Sequence, residues 1–356
     1  MSATRCPFRK SCASDVPCKY SDLGNRIPRQ TGGGIAVRST SFTRLCGLLW
    51  VCTLLSACVM SSPSPRQPAP SAPLLHGAQL HGSLVDMSTQ RLLSVEAFVD
   101  EITGVNLIAL GEEHYHPDIQ RFTLQLLQAL ARRYPQHLAL AMEFLERDMQ
   151  PYVDAYLAGT SDAATFQQDI RATPDFTQHY FPLLQYARQA NIPVLAMNLP
   201  RRLARQVAQQ GLQHVLPGLA AQEQAYVPGT LAAITPQYRT YFQQAIASAH
   251  PLPAEQSERF LEAAHLKDET MADTLSTFFG RVTQDTVLAI AGRFHFDYGL
   301  AIPARLQQRF PTVAIRRVTT MSVAADERID LQELARTGLA DYVWFAPPRP
   351  TAQTGT

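Results

Sequence analysis

Beyond residue 58 the chain has no cysteine. All six cysteines, Cys6, Cys12, Cys18, Cys46, Cys52 and Cys58, precede the region with globular character. An even count would suit a disulfide framework, but the position excludes one, together with any Cys-ligated metal, from everything that follows. The chain also lacks a dominant charge: 31 Lys and Arg stand against 30 Asp and Glu. Eight of the basic residues and two of the acidic ones lie in residues 1–57, so the remainder carries a net charge of −5. That balance argues against nucleic acid as its partner. No apolar run reaches the roughly 20 residues that a membrane-crossing helix needs. No internal repeat of fixed period is visible. With 46% hydrophobic and 17% charged residues, the chain can bury a sizeable core and is not globally disordered.

Residues 1–40 are polar and aperiodic, and read as lying outside the fold. After Arg44 comes a short apolar stretch, residues 45–58, of the length of a signal-peptide core. It ends in Leu55-Ser56-Ala57-Cys58, which resembles the lipobox of bacterial lipoproteins and implies a lipidated Cys58 as the first mature residue. Residues 61–73 form a Pro/Ser linker, extended and semi-rigid. The domain reading is therefore an extension and signal peptide (1–57), a lipidated cysteine and linker (58–73), a folded domain (74–348) and a disordered tail (349–356). Val59-Met60 offers no acidic residue after Cys58, which favours the outer membrane, with the domain facing the periplasm.

Short apolar runs bounded by turn residues predict strands at Leu107–Leu110, Leu138–Met142, Ile192–Met197, Thr286–Ala291, Val313–Val318 and Tyr342–Phe345, with an edge strand at Leu80–Val85. Ser94 is placed to cap one helix and Pro117 to open another. The alternation predicts an α/β fold with a mostly parallel sheet flanked by helices. Residues 199–283 show no strand, so a helical insertion is expected there, with helices at 220–225, 238–248 and 257–279.

Chemistry-bearing side chains recur at the predicted strand ends. Glu112 and His114 follow Leu107–Leu110, Glu143 follows the second run, Asn198 the third, and His295 follows Thr286–Ala291. Carboxyl ends of neighbouring parallel strands converge, and ligands of open α/β sheets bind there. Two imidazoles and two carboxylates suit a divalent metal or general acid–base chemistry. The Gly-x-x-His pattern occurs twice, at Gly111–His114 and Gly292–His295. Glu262, His265, Asp268 and Glu269 fall on helix 257–279 at spacings of three and four, which places Glu262, His265 and Glu269 on nearly one face. They read either as a solvated charged stripe or as a lid over the strand ends.

Several stretches together resemble the ChaN-like family of haem-binding, iron-regulated bacterial lipoproteins: L-G-E-E-H at 110–114, A-M-E-F-L-E-R-D-M-Q-P at 141–151, I-P-V-L-A-M-N-L-P-R at 192–201, D-E-T-M-A at 268–272, G-L-A-I-P-A-R-L at 299–306 and A-D-Y-V-W-F-A-P-P at 340–348. The resemblance implies haem binding and a role in haem and iron uptake. Its wider relatives, TIKI-type metalloproteases and erythromycin-esterase-like hydrolases, place an active or metal site on two Gly-x-x-His motifs and an intervening glutamate. That alternative makes Glu112, His114, Glu143 and His295 the site of a metal-dependent hydrolase. Arg293-Phe294 replace a small-residue loop of the family, so a narrowed pocket or changed pocket electrostatics is expected. With no Cys-x-x-Cys-His, covalent haem attachment is excluded. His179 and Tyr180 are the candidate haem ligands, and Arg201 and Arg202 the candidate partners of the propionates. A haem slot of this kind can lie at the interface of a homodimer. A third reading is an interaction protein whose site has decayed.

Overall fold

The computed structural model describes residues 74–247, 253–282 and 285–350. The signal core, Cys58 and the linker lie outside the described residues. In chain order the elements begin with β1 (Leu75–His76), α1 (Gly77–Leu80), β2 (Leu84–Asp86), β3 (Leu92–Leu93), α2 (Val95–Glu101), β4 (Leu107–Glu112), α3 (Pro117–Arg133) and β5 (Leu138–Glu146). Three short helices follow, α4 (Gln150–Leu157), α5 (Ala163–Asp169) and α6 (Pro174–His179), then α7 (Phe181–Gln189) and β6 (Val194–Asn198). The insertion comprises α8 (Arg201–Gln210), α9 (Leu212–Val215), α10 (Ala221–Gln224), α11 (Pro236–Ala247) and α12 (Ala254–Arg281). The chain closes with β7 (Thr286–Gly292), α13 (Ile302–Arg309), β8 (Ile315–Ser322), β9 (Arg328–Ile329), α14 (Leu331–Arg336) and β10 (Tyr342–Ala346).

Eight strands form one sheet in the order β3-β2-β10-β8-β4-β7-β5-β6, and β1 pairs with β9 apart from it. The five pairings from β10 to β6 are parallel, and β2 is antiparallel to both its neighbours. This is the α/β architecture expected. The central strands are covered on both faces, and the two-residue period sorts their side chains. Ile108, Leu110, Leu140, Met142, Leu288 and Ile290 join one core cluster, with α3 and α7. Leu107, Ala109, Ala139, Ala141, Ala289 and Ala291 join the other, with Met271, Leu275 and Phe279 of α12 and Leu306 of α13. Alanines from three adjacent strands thus line the second face, so this face is the one a helix can approach closely.

Helix α3 shows why the local sequence folds as it does. Pro117 occupies its first turn, the His116 ring accepts from the Asp118 amide, and Arg132 and Arg133 end it against the helix dipole. Ile119, Phe122, Leu126, Leu127 and Leu130 fall at helical spacing and are fully buried. Each contributes about 1.5–3 kcal/mol of burial.

Two expectations change. Residues 77–80 are a helical turn, and β2 starts only at Leu84, inside the sheet; β3 is the edge. The Asp86 carboxylate accepts from the Ser88 amide and hydroxyl at 2.8 and 2.7 Å, which turns the chain back to form β3. The insertion is not merely a cap either, because α12 packs along the sheet.

The topology positions the site. β4 and β7 are neighbours, with Gly111 opposite Ala291 and Glu112 opposite Gly292. From β4 the chain crosses toward β5, whereas from β7 it crosses to β8 on the other side of β4. The two strands therefore bracket a switch point, where open α/β sheets form a crevice at their carboxyl ends.

Candidate functional site

Both Gly-x-x-His motifs end at this switch point, and close approach explains both glycines. Gly292 has φ −55°, a conformation open to any residue. A Cβ there would lie 2.8 Å from Cε1 and Nε2 of His114. A Cβ on Gly111 would meet the Arg293 Cα at 3.1 Å. Each motif's glycine thus makes room for the other motif.

His295 is buried and held at both nitrogens. Its Nδ1 donates to Asp268 Oδ1 at 2.5 Å, and its Nε2 lies 3.1 Å from Glu143 Oε1. Burial disfavours the imidazolium, but Glu143 and Asp268 outweigh it and raise the pKa to about 9. Burial likewise works to raise the Glu143 carboxyl, yet His295 and then Lys267 hold it well below the usual carboxylate range. Asp268 is lowered in the same way, chiefly by His295 against its own burial. Glu143 also takes Lys267 Nζ at 3.0 Å and the Gly292 amide at 2.9 Å, and its backbone oxygen accepts from Asn198 Nδ2. Asp268 takes the Tyr238 hydroxyl at 2.5 Å.

Glu112, beside it on β4, is buried. It accepts from the Tyr180 hydroxyl, from Gln120 Nε2 at 2.8 Å, and pairs with His114 Nδ1 at 3.1 Å. His114 is the partly open member, with 20% of its side chain exposed. Its ring lies 5.1 Å from Phe144 and 5.9 Å from Tyr115, centre to centre. Tyr115 in turn lies 5.8 Å from the His179 ring, and Phe144 stacks on Tyr180. Phe144, His114, Tyr115 and His179 are each half-buried. They form a continuous shelf of rings on the α3–α7 side. Tyr115 holds a left-handed φ of +60°, uncommon for a residue with a side chain. Burial lowers the His179 pKa from its ordinary value, opposed by Asp175 and Glu112 and reinforced by Arg349, which favours the neutral imidazole.

The structure thus gathers Glu112, His114, Glu143, Asn198 and His295 at one sheet edge. Both nitrogens of His295 and both oxygens of Glu143 are spent on partners within the protein. Among the described residues no group of three or more His, Cys, Asp or Glu is arranged to hold a metal ion. Tyr180 changes role: it is fully buried, burial and then Glu112 push its hydroxyl well above 10, and it serves as a donor to that carboxylate. His179 and Tyr180 belong to the α3–α7 side. Arg201 and Arg202 start α8, which packs on α12. They are already paired, Arg201 with Glu146 and Arg202 with Asp148 and Glu223. The four do not form one site. Arg293 pairs with Asp297 and Glu113, and Phe294 stacks on Tyr241.

The charged face of α12 is not a solvated stripe; it lies over the strand ends, where Asp268 meets His295 and Lys267 meets Glu143. His265, Asp268 and Glu269 are buried; Glu269 grips Arg305 and Arg309, and Asp268 orients His295. Sequence reasoning missed Asp268 as a site residue, along with Tyr115, Lys267 and Arg349. The signal for Asp268 was its place among the apolar positions Leu261, Ala272 and Leu275 of one long helix.

Fold and site together define an α/β protein that carries, at the carboxyl ends of β4 and β7, a buried acid–imidazole relay beside a shelf of half-buried rings. The profile of the family described as haem-binding uptake, Tiki superfamily, ChaN matches residues 98–306, and the chain belongs to that family. Among solved structures it is similar to ChaN of Campylobacter jejuni, solved for its cofacial haem binding. The likeness is 21% identity over 73% of this chain and 95% of that one, with a TM-score of 0.57, which shows a shared fold. It is 22% identical over 271 residues to the chloroplastic protein RETICULATA-RELATED 5 of Arabidopsis thaliana; the match takes in 71% of this chain and spans only 36% of that relative's length.

Proposed function

We propose that this protein binds haem at a bacterial cell envelope and serves in haem and iron uptake. A lipid on Cys58 holds it to the outer membrane, facing the periplasm, and the Pro/Ser linker stands the domain off the bilayer. The observation that carries the haem reading is the shelf of Phe144, His114, Tyr115 and His179, in a chain of a haem-binding family. A macrocycle needs an apolar face to lie against and a ligand group beside it. The shelf supplies half-buried aromatic area, and a neutral imidazole such as that of His179 is the form that ligates metal. Haem, when bound, brings a Lewis-acidic iron; the chain's residues seat and orient it. The relay beneath, Glu112 with His114 and Asp268–His295–Glu143, fixes the loops that carry the shelf.

The test is an absorbance titration of the full chain with haemin, beside His179→Ala. The expected result is a saturable Soret shift at stoichiometric haemin, with a changed band position and at least about tenfold weaker binding in the variant. A spectrum that stays that of free haemin throughout the titration contradicts the proposal.

A further inference from the structure

Where the cations of the carboxyl edge stand decides how an anionic ligand could be held. Arg147 pairs with Asp273, Lys267 with Glu143, Arg293 with Asp297, and Arg201 and Arg202 with the acidic residues around α8. Each is neutralised in place. Arg349 differs: among the described residues it makes no ion pair. Its residue is exposed, and one Nη2 hydrogen bond to the His114 carbonyl oxygen is its anchor. The segment that carries it is tied down as well, because the buried His116 ring meets the Pro347 carbonyl oxygen through Nε2 at 2.9 Å. The strap leaving β10 therefore crosses the loop of the first Gly-x-x-His motif and sets a guanidinium beside the ring shelf. That guanidinium is close enough to His179 to act on its charge. A guanidinium has five N–H donors in a planar fork, and one is spent here.

We propose that Arg349 receives a haem propionate when the macrocycle lies against His179 and Tyr115. This rests on the haem reading above. Haem carries two carboxylates at one edge, and a planar fork matches a carboxylate through two parallel hydrogen bonds. An unpaired, pre-anchored guanidinium gives up no existing ion pair to bind one. Arg201 and Arg202 would each have to leave a carboxylate first.

The experiment compares haemin with its iron dimethyl ester, in which both propionates are blocked, on the full-length wild type, Arg349→Ala and Arg349→Lys. Thermal unfolding of each variant reports on folding. Arg349→Ala is expected to weaken haemin binding roughly ten- to a hundredfold while its melting temperature is unchanged. The ester should bind wild type and Arg349→Ala with equal affinity, and lysine should restore part of the loss. Equal haemin affinity in wild type and Arg349→Ala overturns the assignment, as does an equal loss of haemin and ester in the variant. A wild type that binds neither compound overturns the haem reading itself, and this proposal with it.

Discussion

Replacing His295 by alanine should destabilise the fold by about 3–5 kcal/mol at pH 7, because it strips the shared partner from two buried carboxylates. Glu143 would keep Lys267 and the Gly292 amide, and Asp268 would keep the Tyr238 hydroxyl. Neither set replaces a cation lying 3.1 Å from one carboxylate and 2.5 Å from the other. The size can be worked independently from titration. A histidine moved from 6.5 unfolded to about 9 folded contributes on the order of 3 kcal/mol. Because the folded pKa is the higher one, that contribution is fully present below about pH 6.5. It is lost as the pH rises toward 9. The carboxylates carry the opposite sign: their lowered pKa values stabilise the wild type above the usual carboxylate range, and this is lost on acidification. In His295→Ala that support is gone, and the variant should recover stability as acid protonates Glu143 and Asp268. Urea unfolding at pH 6, 7.5 and 9 reads all of this. The gap between wild type and variant should be widest at pH 6–7.5 and narrow at pH 9. A loss under about 1 kcal/mol at pH 7, or a gap that does not narrow, refutes the reasoning.

Gly292→Ala should cost about 1–3 kcal/mol by pressing its Cβ into the His114 ring, since the backbone itself accepts alanine. In a His114→Ala background the same change should be nearly neutral; an additive double variant in urea unfolding would disprove the contact. Cys58→Ser should move the protein from the membrane to the soluble fraction and remove the lipid mass from its N-terminal peptide. Retention of that variant in the membrane, with no lipid on its N-terminal peptide, would show that the anchor lies elsewhere.

The architecture was legible because strands buried on both faces read as short continuous apolar runs, and the helices between them keep a 3.6-residue period. Leu107–Leu110 and Leu138–Met142 could be read as strands, and Phe122, Leu126, Leu127 and Leu130 as one helical face, from apolar spacing alone. The residues at the strand ends were legible for the same reason, as topology gathers those ends whatever their separation in sequence. What the sequence hid is which partner each polar group takes. Asp268 looks like one more charge on a helix, and only the packing of α12 on the alanine-rich sheet face sinks it to His295. Tyr180 looks like a ligand because it neighbours His179; the turn between α6 and α7 sends its hydroxyl to Glu112 instead. Arg201 and Arg202 look available until Glu146, Asp148 and Glu223 are placed around them. Arg349 lies in a stretch with no periodicity, and its position depends on a hydrogen bond to a loop more than 200 residues away.

The central claim is a location: haem on the ring shelf of the α3–α7 side, at the carboxyl edge of β4. Amide hydrogen exchange on the full chain with and without haemin tests it most directly. The account expects haemin to slow exchange in the loop from Glu113 to Pro117 and across the α6–α7 junction around His179, and to leave the first turn of α8 unchanged. Protection confined to α8 at Arg201 and Arg202, or none at the shelf with haemin at saturation, would contradict it.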